Sequence, residues 1–206
     1  MALNLQLKLL TKSCNDLIRG FIDIDGSTGK KEMSFHINNC TLKFLKGNEL
    51  SSEELQSVFH IFRQNMQRFY SASSLKWASD EEKKTYLSSS DGFYILLFKE
   101  NVLIGFTMWK IEFDDMDYPS FPVVYLYELQ IDEAGQGKGY GKALFKHLMT
   151  ITKGLSLKKL MLTCFKSNTC AMAFYKRCGL CVDETSPCLC GYPNEDYEIL
   201  SIRYEP

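Results

Sequence analysis

Gln136-Gly-Lys-Gly139-Tyr-Gly141-Lys142 lies between a strand-like run, Val123-Val-Tyr-Leu-Tyr-Glu-Leu-Gln-Ile131, and a helix-like run, Ala143-Leu-Phe-Lys-His-Leu-Met-Thr-Ile151. A strand, a glycine-rich turn and a helix start together make a phosphate cradle. Glycine lets the backbone bend and approach a ligand closely. The first turn of a helix carries N–H groups that have no intrahelical partner. The spacing Gln-x-x-Gly-x-Gly fits neither G-x-G-x-x-G nor G-x-x-x-x-G-K-[ST].

Outward from this turn the chain reads as a mixed α/β domain. Residues 4–24 carry apolar groups at helical spacing and predict an N-terminal helix packed on the domain, with residues 26–31 as a loop. Residues 40–45 alternate and predict a strand. Ser51-Ser-Glu-Glu54 is a capping-box start for a helix through Phe69, and Asp80-Glu81-Glu82 forms the acidic first turn of a second. Residues 93–98 and 102–113 predict an antiparallel pair feeding the strand at 123–131. After the glycine turn and its helix come a buried strand at 159–163, a helix at 168–178 and a hairpin-like pair near 180–183 and 197–204. The order predicts an antiparallel meander followed by a parallel crossover, with helices flanking the sheet. We divide the chain into an N-terminal helical segment, 1–38, and one domain, 39–206.

The 206 residues are enough for one domain with a sizeable core. A net charge of -1 argues against a nonspecific nucleic-acid binder. Glu112, Asp114, Asp115 and Asp117 form an acidic cluster, which is either a solvated loop or a surface for a basic partner. No targeting or membrane-length segment is evident, so the eight cysteines are expected as reduced thiols in a cytoplasmic or nuclear setting. Cys178-x-x-Cys181 and Cys188-x-Cys190 are dense, but the second pair is too tight for a zinc ribbon; no metal is expected.

Gln136-x-x-Gly139-x-Gly141 between strand and helix resembles the pyrophosphate-binding signature of the GCN5-related N-acetyltransferases (GNAT). Asn168, followed by Phe174-Tyr175 and Gly179, resembles that superfamily's second cofactor element. Tyr125-Leu-Tyr127-Glu128-Leu-Gln-Ile131, Asn65-Met66-Gln67 with Tyr70, Ser186-Pro187 and Tyr197-Glu-Ile-Leu-Ser201 look like the N-terminal acetyltransferase D family. That resemblance implies a GNAT fold, with acetyl-CoA as cosubstrate and no metal. It also implies transfer of the acetyl group to the α-amine of histone tails beginning Ser-Gly-Arg-Gly, histone types four and two-A. The histone tail is then the only macromolecular partner, with a monomeric enzyme and no direct contact to nucleic acid or membrane.

Residue roles follow. Acyl transfer must hold the thioester, keep the amine neutral and stabilise charge on the thioester oxygen. The cofactor is expected on Gln136, Gly137, Lys138, Gly139, Tyr140, Gly141 and Lys142. Its pantetheine arm is expected along the backbone of Leu129, Gln130 and Ile131, with Asn168 and Tyr175 beside it. Glu128 interrupts an apolar strand, which is costly unless the carboxylate is paired or functional, and is the expected base. Tyr175 is a candidate acid, with packing as the alternative. Tyr127 joins Glu128 as a catalytic candidate. Tyr70, Trp77, Tyr125, Tyr127, Glu128 and Tyr197 are expected around the peptide. An acidic contact to the peptide falls on either Glu112 or Asp114. Leu75 stands where the family has Trp. Simple alternation puts Tyr125 and Tyr127 on one face and Glu128 on the other. A bulge in this strand would bring all three together.

Overall fold

The strands are β1 (Glu32–Phe35), β2 (Cys40–Lys46), β3 (Phe93–Lys99), β4 (Val102–Phe113), β5 (Pro122–Ile131), β6 (Lys159–Phe165), β7 (Cys181–Val182) and β8 (Tyr197–Arg203). The helices are α1 (Ser52–Ser71), α2 (Asp80–Leu87), α3 (Tyr140–Gly154) and α4 (Thr169–Arg177). The computed structural model describes residues 9, 11, 12, 16, 32–35, 40–115 and 121–204. The helix predicted over residues 4–24 lies largely outside these; Leu9, Thr11, Lys12 and Asp16 are helical. Met116 to Ser120, the centre of the acidic loop, is also outside them.

The strands form one mixed sheet in the order β1-β2-β3-β4-β5-β6-β8-β7, antiparallel except for the β5–β6 pair. The meander and single parallel crossover are those expected. Strand β1 is not in the sequence reading. It pairs antiparallel with β2 from Glu32↔Lys43 to Phe35↔Cys40, so the sheet begins before residue 39.

Alternation along the strands gives the sheet two buried faces. Phe93, Ile95, Leu97, Trp109, Val124 and Leu126 face the core under α3, with Leu144, Phe145 and Leu148 of that helix. Tyr94, Leu96, Phe106 and Met108 face the opposite core with Val58, Phe59 and Phe62 of α1 and Leu87 of α2. The capping box forms as expected: Glu54 N donates to Ser51 Oγ at 3.1 Å and Ser51 N to Glu54 Oε2 at 3.0 Å.

Two irregularities position the site. In the β4–β5 ladder, Met108 pairs with Glu128 while Trp109 pairs with Leu126, leaving Tyr127 as an extra residue on β5. The parallel β5–β6 ladder holds only three pairs and ends at Leu126↔Leu162. Beyond that point the two strands no longer bond each other, and the gap between them opens into cavities.

A buried ion pair closes the far side of the sheet. Lys159 Nζ, fully buried, lies 2.7 Å from Asp183 Oδ2. Burial raises the Asp183 carboxyl, but hydrogen bonds from Lys159, Ser201 and Thr185 outweigh it and hold the group at about 2. Its contribution is therefore complete above the ordinary value of 3.8 and lost as pH falls through about 2. Asp183→Ala leaves the buried ammonium with only the longer contact to Glu184, 3.7 Å away, and should cost about 3 kcal/mol. Urea unfolding at pH 7 measures this, and an unchanged midpoint would refute the pair's structural role.

Candidate active site

The glycine turn has the geometry of a cradle. Gly137 and Gly139 hold φ of +73° and +88°, and a Cβ at either would meet nothing within 4 Å, so the loop surface is open and left-handed. The first intrahelical bond of α3 runs from Ala143 N to Gly139 O at 3.1 Å, which leaves the preceding N–H groups for a ligand. The Tyr140 ring is buried in the core beneath the loop. Lys138 is exposed and does not line the cavity.

A cavity of about 980 Å³ runs from this turn along the open edge of β5. Leu129, Gln130 and Ile131 form one side, and Asn168, Phe174 and Tyr175 the other. Arg68, Lys142 and Arg177 also line it, and these cations suit a polyanion. Arg68 and Arg177 were not singled out from sequence, because a lone Arg on a helix face reads as solvated surface. Asn168 caps α4, its Oδ1 accepting from Ala171 N at 3.2 Å, while also lining the cavity. The Ile131 carbonyl already accepts from Asn65 Nδ2 at 3.0 Å and Gln136 Nε2 at 3.1 Å, so that oxygen is not free for a cofactor arm.

A second cavity, about 500 Å³, adjoins the first and shares Met66, Leu129, Gln130, Asn168, Ala171 and Tyr175 with it. Its other walls include Tyr70, Tyr86, Tyr125, Tyr127, Phe165, Glu112 and Glu128. The β5 bulge explains this wall. It lets Tyr127 and Glu128, consecutive in sequence, face the same side of the sheet. Without it, Glu128 would enter the apolar core under α3.

Glu128 is 3% exposed, and burial pushes its carboxyl up to about 7, against the Gln130 and Tyr86 hydrogen bonds and the Lys83 charge that favour the carboxylate. Gln130 Nε2 donates to Glu128 Oε2 at 2.7 Å and the Tyr86 hydroxyl to Oε1 at 3.1 Å. The Tyr127 hydroxyl donates to Glu112 Oε1 at 2.7 Å, and Tyr125 Oη lies 2.5 Å from Thr163 Oγ1. Burial raises the Tyr125 hydroxyl to about 12 and pushes those of Tyr70, Tyr127 and Tyr175 higher still, so all four stay protonated.

Of the two acidic candidates, Glu112 lines the second cavity and Asp114 does not. Asp114 is buried and closes the loop base: its Oδ1 accepts from Phe121 N at 3.1 Å. Trp77 lines neither cavity; it stacks on Phe62 at 5.5 Å and buttresses Tyr70 edge-on at 6.0 Å. Tyr197 also lies outside both linings, paired with Phe165 across β6–β8. Leu75 lines the second cavity and is half exposed. Tyr86 escaped the sequence reading, since its contact with Glu128 spans 42 residues and looks like an ordinary helix position. Cys178, Cys181, Cys188 and Cys190 are free thiols, and among the described residues no three ligating side chains gather as a metal site.

The acetyltransferase (GNAT) family matches residues 55–180. The chain therefore belongs to the GNAT family of acetyltransferases, which use acetyl-CoA. The sheet and helices are similar to those of the PaiA N-acetyltransferase from Thermoplasma acidophilum in complex with coenzyme A. The two share 19% identity over 79% of this chain and 99% of that one, with a TM-score of 0.57. The ribosomal-protein-S18-alanine N-acetyltransferase from Escherichia coli shares 18% identity over 80% and 95%, with a TM-score of 0.53. The IAA acetyltransferase from Bacillus cereus ATCC 14579 shares 17% identity over 80% and 99%, with a TM-score of 0.53. These likenesses concern the fold. The open glycine turn, the free N–H groups and the three cations fit acetyl-CoA in the larger cavity.

Two substitutions test this site. Gly139→Ala should weaken acetyl-CoA binding by about tenfold or more and cost about 1 kcal/mol, because Ala resists a φ of +88°; calorimetric titration with unchanged affinity would contradict the cradle. Between the ordinary carboxylate value of 4.5 and about 7, the native protein holds a Glu128 proton that the unfolded chain has released. Wild-type stability thus falls as pH rises through that window. Glu128→Gln should be more stable than wild type at pH 8, by about 2 kcal/mol, with no such gain at pH 4. Thermal unfolding at both pH values decides this.

Proposed function

We propose that this acetyltransferase modifies the α-amine of a protein N-terminus, with histone tails beginning Ser-Gly-Arg-Gly as its substrate. The observation that carries the reading is the second cavity: aromatic walls with two carboxylates, Glu112 and Glu128, opening onto the cofactor cavity at Gln130 and Tyr175. Such a site favours a cationic amine whose chain must lie between rings. The resemblance of Tyr125, Tyr127, Glu128 and Tyr70 to the N-terminal acetyltransferase D family supports the histone assignment.

Acetyl-CoA, when bound, supplies the activated acetyl group and a thiolate leaving group. Glu128, titrating near 7, takes one proton from an α-amine whose own value is near ~8, freeing its lone pair. The C–N bond then forms as the C–S bond breaks, directly between the two bound substrates; the nitrogen's second proton goes to the departing thiolate, so the products are the amide and the CoA thiol. Burial keeps the Tyr175 hydroxyl protonated, so it serves the departing sulfur as a hydrogen-bond donor without giving up its proton. The Tyr127–Glu112 hydrogen bond fixes the ring beside the amine path and keeps a carboxylate near the substrate's first residues.

Incubating the protein with acetyl-CoA and a Ser-Gly-Arg-Gly peptide should add one acetyl group at the α-amine, read by tandem mass spectrometry. Blocking that amine should abolish the product. Acetylation of a lysine side chain or a polyamine in preference would instead favour a small-molecule or lysine acetyltransferase on this fold. Binding of acetyl-CoA without any transfer would favour an adaptor.

A further inference from the structure

The polar side chains between the two cavities form one hydrogen-bonded chain, and a single backbone oxygen sets its direction. The Ile131 carbonyl can only accept. It takes hydrogens from Asn65 Nδ2 at 3.0 Å and from Gln136 Nε2 at 3.1 Å. Asn65 is thereby fixed with its amide nitrogen toward β5. Its second hydrogen goes to Gln130 Oε1 at 3.0 Å, and its oxygen faces Gln136 Nε2 at 3.4 Å. With its own oxygen engaged, Gln130 has only N–H to present at its other end, and Nε2 meets Glu128 Oε2 at 2.7 Å.

We propose that Asn65 is a positioning residue for the base: acting through the Gln130 amide, it holds a hydrogen-bond donor against Glu128 and so keeps the buried carboxylate available at neutral pH. This rests on the reading of Glu128 as the base. An amide free to turn offers Glu128 either nitrogen or oxygen, and only nitrogen favours the ionised form. The other groups facing Glu128 are few among the described residues. Lys83 and Tyr86 approach from α2, Tyr70 from α1, Tyr94 from β3 and Tyr175 from α4. The tyrosines are held neutral by burial. Among the described residues Lys83 is the one cation acting on Glu128, and its Nζ sits 4.1 Å over the Tyr70 ring. The Gln130 amide is therefore the partner whose orientation matters, and Asn65 decides it. Gln136 ties the same chain to the cofactor turn.

The test compares Asn65→Leu, Gln130→Leu and the double variant. The Glu128 midpoint is read by carbon NMR of labelled glutamate, assigned with Glu128→Gln, and by the acid limb of kcat at saturating acetyl-CoA. Asn65→Leu should raise the midpoint by about one unit and lower kcat at pH 7 about fivefold to tenfold. Gln130→Leu should raise it at least as far. The double variant should go no further than Gln130→Leu, because Asn65 acts only through Gln130. An unchanged midpoint in Asn65→Leu, or an equal added shift in the Gln130→Leu background, overturns the proposal. Asn65→Ser makes the same comparison should the leucine variant not fold. Full kcat in Glu128→Gln would instead remove the base reading, while the NMR midpoints still decide whether Asn65 orients the amide.

Discussion

The parallel pairing of β5 with β6 stops after three residue pairs, and the rest of the site depends on that stop. A parallel sheet with helices on both faces has no room for a ligand while its ladder continues. Here Leu126↔Leu162 is the last pair. Residues 129–131 and 163–165 stay paired to β4 and β8 on their outer sides, but they no longer pair with each other across the β5–β6 gap. Unpaired backbone groups need acceptors and donors from elsewhere. Part of that need is met by Asn65 and Gln136 at the Ile131 carbonyl. A cofactor arm laid in the gap would meet another part. The β5 bulge sits immediately after the last pair and turns Glu128 to the side where the two cavities meet.

Glu128, the proposed base, illustrates how a destabilising placement is made workable. A carboxylate buried to 3% exposure resists ionisation, which by itself would leave a protonated, inert acid at neutral pH. Donors on both oxygens pull the other way. The balance leaves the group near 7, close to the ordinary titration of an α-amine, the proposed substrate. Neither burial alone nor donors alone would give that match. The surrounding tyrosines, kept protonated, shape the site without adding charge.

Much of the architecture was legible because its signals are local. The capping box at Ser51, the alternation in β3 and the glycine turn before α3 each involve residues a few positions apart. The bulge was legible as a conflict: Tyr125, Tyr127 and Glu128 could share one wall only if the strand gained a residue. Strand β1 was not legible, since four residues, Glu-Met-Ser-Phe, carry too little pattern to distinguish an edge strand from a loop. Tyr86 and the Asn65–Gln130 contact were hidden for another reason. They join positions 42 and 65 residues apart, and only the packing of α1 and α2 on the sheet brings them to Glu128. Trp77 and Asp114 had the right residue types near the right places, yet one buttresses Tyr70 and the other closes a loop.

In the proposed reaction a peptide α-amine and acetyl-CoA meet at Glu128 from adjoining cavities. A conjugate joining CoA through an acetyl bridge to the α-nitrogen of Ser-Gly-Arg-Gly would span both cavities at once, and calorimetry reads its affinity. It should bind on the order of a hundredfold tighter than CoA alone, and tighter than a conjugate joined through a lysine side chain. A conjugate that binds no better than CoA, or a lysine-linked one that binds as tightly, would contradict it.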